Sequence, residues 1–147
     1  MSAIGRLEAY LEEIPKTVNG IDEAAFLRKP SPNKWSKQEI LGHLCDSAAN
    51  NHIRFARSIL SNEPITVEGY RQDDWVRLHD YQSNYSPSEM LALWTSLNKQ
   101  ILHVMRRASE SDLDKQCLLS DGSSVSLRWL FDDYLDHMLH HLKQIQS

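Results

Sequence analysis

The sequence predicts an all-α protein: a four-helix bundle with one long crossover connection. Four segments repeat apolar residues at helical spacing, and no segment carries a convincing strand pattern. The stretch Asn62 to Tyr85, between the second and third segments, is too long for a tight hairpin between neighbouring antiparallel helices.

The first helix is expected from Ser2 to about Thr17, where Ile4, Leu7, Leu11 and Ile14 share one face with Tyr10 beside them. Pro15 leaves its far end open, and Asn19–Gly20 marks a turn. Ile21 to Leu27 is a candidate for one short helical turn. The second helix is expected from Ser36 to about Leu60. The run Lys29-Pro30-Ser31-Pro32 is extended, and Ser36-Lys37-Gln38-Glu39 has the form of a capping box, in which Ser36 and Glu39 satisfy free backbone donors reciprocally. Ile40, Leu44, Phe55 and Ile59 supply its apolar positions. Within the crossover, Trp75, Val76 and Leu78 fit one short helix. The third helix starts at Ser86-Pro87-Ser88-Glu89, a second capping box with proline in the first turn, and runs to about Ala108. The fourth runs from Leu127 to about Gln146, with Ser126 as N-cap after a turn at Asp121–Gly122.

A length of 147 residues suits a single domain spanning 1–147. The formal charge of −4 is spread along the chain, and the pair Arg106–Arg107 makes no basic stripe, so nucleic acid is not an expected partner. No apolar run approaches the ~20 residues that span a bilayer, so no membrane is expected either. The segment Met1 to Ile14 carries Glu8, Glu12 and Glu13 and lacks the basic start and apolar block of a secretory signal. A cytoplasmic location is therefore expected. Cys45 and Cys117 have no metal or redox spacing and are expected to be reduced thiols. There is no GxSxG motif, phosphate loop or EF-hand spacing.

Seven histidines are many for this length. His137 and His141 are four residues apart, which places them on one helical face about one turn apart, where two imidazoles can converge on one ion. Tyr134, Met138 and Leu142 flank them, so the pair borders the core face. Catalytic zinc takes three protein ligands plus an open position. The best third candidate is His43, beside Ile40 and Leu44 on the second helix. Its face continues through Ser47, Asn50 and Arg54. Spacing alone leaves open whether this row lines a pocket or is a solvated helix face. His52, His79 and His103 have no partner at ligand spacing and read as structural or surface residues, and His140 points toward the side shared by Asp136 and Gln144 and reads as a surface residue. Cys45, two residues from His43, points to roughly the opposite face, which argues against a Cys–His nucleophile.

The segment from Trp35 to Ser47, with Gly42-His43-Leu44 at its centre, resembles the second-helix signature of the DinB-like superfamily, and within it the YfiT-type branch. The likeness continues through Asn50, Ile53-Arg54-Phe55, Tyr70, Asp74-Trp75 and Ser86-Pro87. It closes with Tyr134, His137-Met138-Leu139-His140-His141 and Ile145. That branch includes bacillithiol transferases and proteins provisionally named metal-dependent hydrolases. The resemblance implies a crossover bundle, often dimeric, that binds one divalent ion, zinc or nickel, through His43, His137 and His141. Asp136, Met138 and Gln144 depart from the branch's usual pattern around the fourth-helix histidines.

Three neutral imidazoles leave the ion's double charge uncompensated and a position open, so a bound water or thiol becomes more acidic. The expected function is a metal-dependent transfer of a low-molecular-weight thiol to electrophilic small molecules. The alternatives are hydrolysis by a metal-activated water and a non-catalytic, metal-binding stress-response bundle. Asn50 and Arg54 are expected to orient an anionic cosubstrate. Asp46 and Asp133 are candidates to support an imidazole N–H from behind.

Overall fold

The computed structural model describes residues 1–147. Four long helices form the bundle: α1 (Ala3–Asn19), α3 (Lys37–Leu60), α6 (Pro87–Arg107) and α8 (Leu127–Gln146). Shorter elements join them: α2 (Glu23–Leu27), β1 (Ile65–Thr66), α4 (Gln72–His79), α5 (Tyr81–Asn84), α7 (Glu110–Leu113), β2 (Gln116–Leu118) and β3 (Ser124–Ser126). None of the helices is long and apolar enough to cross a membrane.

The helix starts follow the sequence closely. Ser36 and Ser86 each accept from the backbone N–H three residues on, and Glu39 and Glu89 reach back to the cap N–H. Ser126 caps α8 by accepting from the Trp129 N–H. Such caps contribute about 1 kcal/mol each. Pro15 does not end α1, which continues to Asn19 and closes on Gly20. Proline removes its own N–H and crowds the carbonyl one turn back, but the buried run Leu7, Tyr10, Ile14 and Val18 holds both sides of it against the core.

Cross-helix contacts fix the directions. Tyr81 and Tyr85 carbonyls accept from Gln38 at the start of α3, and Met90 lies against Cys45, so the crossover returns the chain and α6 runs parallel to α3. His137 meets His43 while Phe131 meets Phe55, so α8 is antiparallel to α3. Arg6 pairs with Asp136 and Glu13 accepts from Gln146, so α1 is parallel to α8. The order is up-down-down-up. Trp94, Phe55, Leu41, Leu44, Met138 and Ile101 are buried at its centre.

The three short strands are an addition to the all-helical expectation. β1 pairs in parallel with β2, with Ile65 opposite Cys117. β2 pairs antiparallel with β3 across a turn containing Gly122 at φ 87°. This small sheet ties the start of the crossover to the α7–α8 link at the end of the bundle away from the histidines.

Candidate metal centre

His43 sits in the buried first half of α3, and His137 and His141 lie one turn apart on α8. Their rings meet almost symmetrically. Ring centroids are 5.0 Å apart for His43 and His137, 4.7 Å for His43 and His141, and 4.6 Å for His137 and His141, each pair roughly edge-on. One ligand nitrogen from each lies within 4.8 Å of the other two. His43 Nε2 and His137 Nε2 are 3.1 Å apart. Two nitrogens at about 2.0–2.1 Å from a tetrahedral ion would stand about 3.3–3.4 Å apart, so the spacing is close to that of ligands sharing an ion.

The electrostatics agree. Burial pushes the His43 imidazolium down to about 3, with the neighbouring His141 and His137 charges adding to it. Burial, then His141 and His140, brings His137 to about 4. His141 is also lowered, by burial first, with Gln144 opposing. All three are therefore neutral at pH 7, the state a metal requires. The Nδ1 of His43 is buried without a hydrogen-bond partner, while its Nε2 faces another imidazole nitrogen. Such a ring is poorly served by protein alone, and a cation offsets its lost hydration. His141 Nδ1 donates to Gln144 Oε1 at 2.8 Å, which leaves Nε2 as the lone-pair donor. The residues fit a borderline-soft divalent ion such as zinc or nickel.

Other expected residues are placed differently. Asn50 is not in the wall of the cavity beside His137, and its amide donates to the Asp46 carbonyl on its own helix. Asn51 takes that place: it donates to Ser47 and accepts from Arg54, and it lines a cavity of about 200 Å³ with Ser47, Arg54, Tyr70 and His137. Arg54 also donates to the Glu68 carbonyl. Asp46 does not support a ligand imidazole. Its carboxylate accepts from the Tyr81 hydroxyl at 2.5 Å and lies 3.3 Å from His79, whose ring stacks on Tyr81. Asp133 borders the same cavity as His137 without a hydrogen bond to it, and burial, then Asp136, raises its pKa. His103 and His140 are exposed and His52 half-buried. Cys45 and Cys117 are buried free thiols, and Cys45 faces Met90, away from the triad.

Two features were not read from the sequence. Trp35 packs on His43 at 4.9 Å between ring centroids. A second cavity, of about 710 Å³, opens on the His141 side, with Trp35 and Gln144 in its wall.

Known proteins of similar sequence and fold carry names that refer to a metal. A protein of Halalkalibacterium halodurans, provisionally named a metal-dependent hydrolase, is 25% identical over 127 residues, covering 86% of this chain and 72% of the relative. A similarly named protein of Bacillus cereus is 24% identical over 144 residues, 98% of this chain and 82% of the relative. Among solved structures, YfiT of Bacillus subtilis, a provisionally described metal-dependent hydrolase with an unusual four-helix bundle topology, matches with a TM-score of 0.85. Its identity is 23%, and the match covers 97% of this chain and 81% of that one. A mycothiol-dependent maleylpyruvate isomerase matches at 0.73 with 14% identity, over 95% of this chain and 58% of that one. These likenesses to solved structures concern the fold. The model of the DinB superfamily matches residues 6–145, and the chain, with its YfiT-type bundle, belongs to that superfamily.

Proposed function

We propose that this protein is a metal-dependent enzyme that transfers a low-molecular-weight thiol to electrophilic small molecules. The observation that carries the reading is the convergence of His43, His137 and His141 at a point bordered by cavities on two sides. A two-substrate reaction needs two approaches to one centre. A divalent ion held by the triad supplies uncompensated positive charge and an open position, which make a thiol or water more acidic. The chain's own residues do the rest. Burial and mutual repulsion keep the imidazoles neutral, Gln144 fixes the tautomer of His141, and Trp35 covers His43 against water. Arg54 and Tyr70 wall the smaller cavity beside His137. In the transfer, sulfur gives up its proton and bonds to the electrophilic carbon as the leaving group departs with its electron pair. The proposal includes a homodimer, checked by sedimentation equilibrium.

Hydrolysis is the second reading, favoured by the provisional names of the relatives.

The test begins with metal analysis of protein purified without a histidine tag. Near-stoichiometric zinc or nickel is expected, lost in each of His43→Ala, His137→Ala and His141→Ala. Protein that carries no metal and binds none on titration would sink the proposal. Metal-loaded protein is then screened with thiols against an alkyl halide and, separately, with esters and amides in the absence of thiol. Thioether formation above the uncatalysed rate supports transfer. Ester or amide cleavage alone supports the hydrolase, and stoichiometric metal with neither reaction indicates a non-catalytic bundle.

A further inference from the structure

We infer that the cavity on the His141 side is the docking site for a small dianion, and that its anionic groups are held by Arg28 and Lys34. The inference rests on the metal-centred reading only for what happens at the ligand's reactive end.

The cavity, about 710 Å³, is of the size that takes a small molecule. It lies between the α2–α3 loop and the end of α8, and its wall includes Arg28, Lys34, Lys37, Trp35, Asp73 and His141. The surrounding surface neutralises its other cations. Lys29 pairs with Glu39 at 2.7 Å, and Arg71 and Arg77 both pair with Asp74. Lys37 donates to the Ser147 carbonyl at 2.7 Å. Of the three cations in the wall, Arg28 and Lys34 have neither an ion pair nor a side-chain hydrogen bond, whereas Lys37 is held by Ser147. Asp73, the one side-chain acid in the wall, sits in the first turn of α4, where the helix end offsets its charge. Two free cations in one cavity wall with an aromatic residue are complementary to a compact molecule with two acidic groups.

The cavity also leads to the triad. His141 and Gln144 are in its wall, and Trp35 reaches from it to the His43 ring. A ligand anchored at Arg28 and Lys34 therefore shares its cavity with the His141 imidazole. Arg54, the cation expected from the sequence for this role, is committed elsewhere. Its guanidinium donates to the Glu68 carbonyl and the Asn51 amide oxygen and lies 6.0 Å from the Tyr70 ring centre.

The test uses the whole metal-free chain and (methylthio)succinate, a dicarboxylate whose blocked sulfur makes binding independent of any metal. The indole N–H resonance of Trp35, assigned with Trp35→Phe, reports on the cavity. At low ionic strength a saturable shift is expected that weakens as salt rises, because exposed cations are screened. The neutral analogue 2-(methylthio)ethanol gives no shift. Succinate and inorganic phosphate separate carboxylate from phosphate recognition, and either one saturating the site supports it. The double variant Arg28→Gln/Lys34→Gln should bind at least tenfold more weakly while its zinc affinity stays within twofold of wild type. Arg106→Gln/Arg107→Gln, at the far end of the bundle, should bind as wild type. Equal binding by the Arg28/Lys34 variant, shifts confined to residues around Tyr70, or no binding by wild type overturns the inference. Dianion binding by a chain that fails to take zinc overturns the metal-centred reading and leaves this one standing. Zinc uptake without dianion binding does the reverse.

Discussion

His43 is held by its surroundings in one protonation state, and this has a measurable cost in acid. Folded, it protonates only near pH 3, and His137 only near pH 4, against about 6.5 for a solvated imidazole. As pH falls below about 6.5 the unfolded chain takes up protons that the folded chain refuses, so the folded state loses stability from there downward. The metal-free protein should therefore melt at a lower temperature at pH 5 than at pH 7.5, and His43→Gln should flatten that dependence. An unchanged slope in the variant would refute the assignment. Gln144 yields a second expectation. Removing the acceptor that orients His141 should weaken zinc binding roughly tenfold in Gln144→Ala, within the range for partners behind a ligand, while His140→Ala leaves it unaltered. At this scale the sequence was partly legible. A four-residue spacing places His137 and His141 together in any helix. Asn50 and Asn51 both fit a helical row from His43, and only the packing of Tyr70 and Arg54 decides for Asn51.

On the helix α3, Gly42 is the reason the crossover can approach closely. A methyl at Gly42 would collide with the Tyr81 ring, which lies across the helix with its hydroxyl on Asp46. Alanine would gain about 1 kcal/mol of helix propensity. Displacing a buried ring typically costs about 1–3 kcal/mol, so the clash outweighs the gain. Gly42→Ala should lower the denaturant midpoint and alter the near-ultraviolet signal of Tyr81, and a stabilised variant would contradict this packing. The long helices were readable because their caps are local: Ser36 with Glu39 and Ser86 with Glu89. The strands were not, since two or three residues show no alternation. Short α7 carries a third capping box, Ser109 with Asp112, unread because no apolar period follows it.

In the whole molecule, the triad joins α3 to α8 across 94 residues of sequence between His43 and His137. An ion bound there stabilises the folded chain by about 2.7 kcal/mol at a hundredfold excess over its dissociation constant. Zinc should thus raise the melting temperature by roughly 5–10 °C, and the shift should vanish in His137→Ala. The up-down-down-up order was foreseeable in part, since the length of Asn62 to Tyr85 demanded a crossover. The cavity cations were not, because Arg28 and Lys34 lie in a connection where no period assigns a side chain to a face. The parallel course of α1 and α8 sends the two chain ends apart. Ser147 is held by Lys37 at the rim of the cationic cavity, while Met1 is exposed near Met105 and Arg128 at the opposite end, about 30 Å away by the length of α8. Anything appended after Ser147 emerges in the mouth of the site, where an affinity tag of histidines would compete for the ion. Immobilisation, labelling or fusion through Met1 leaves that mouth clear.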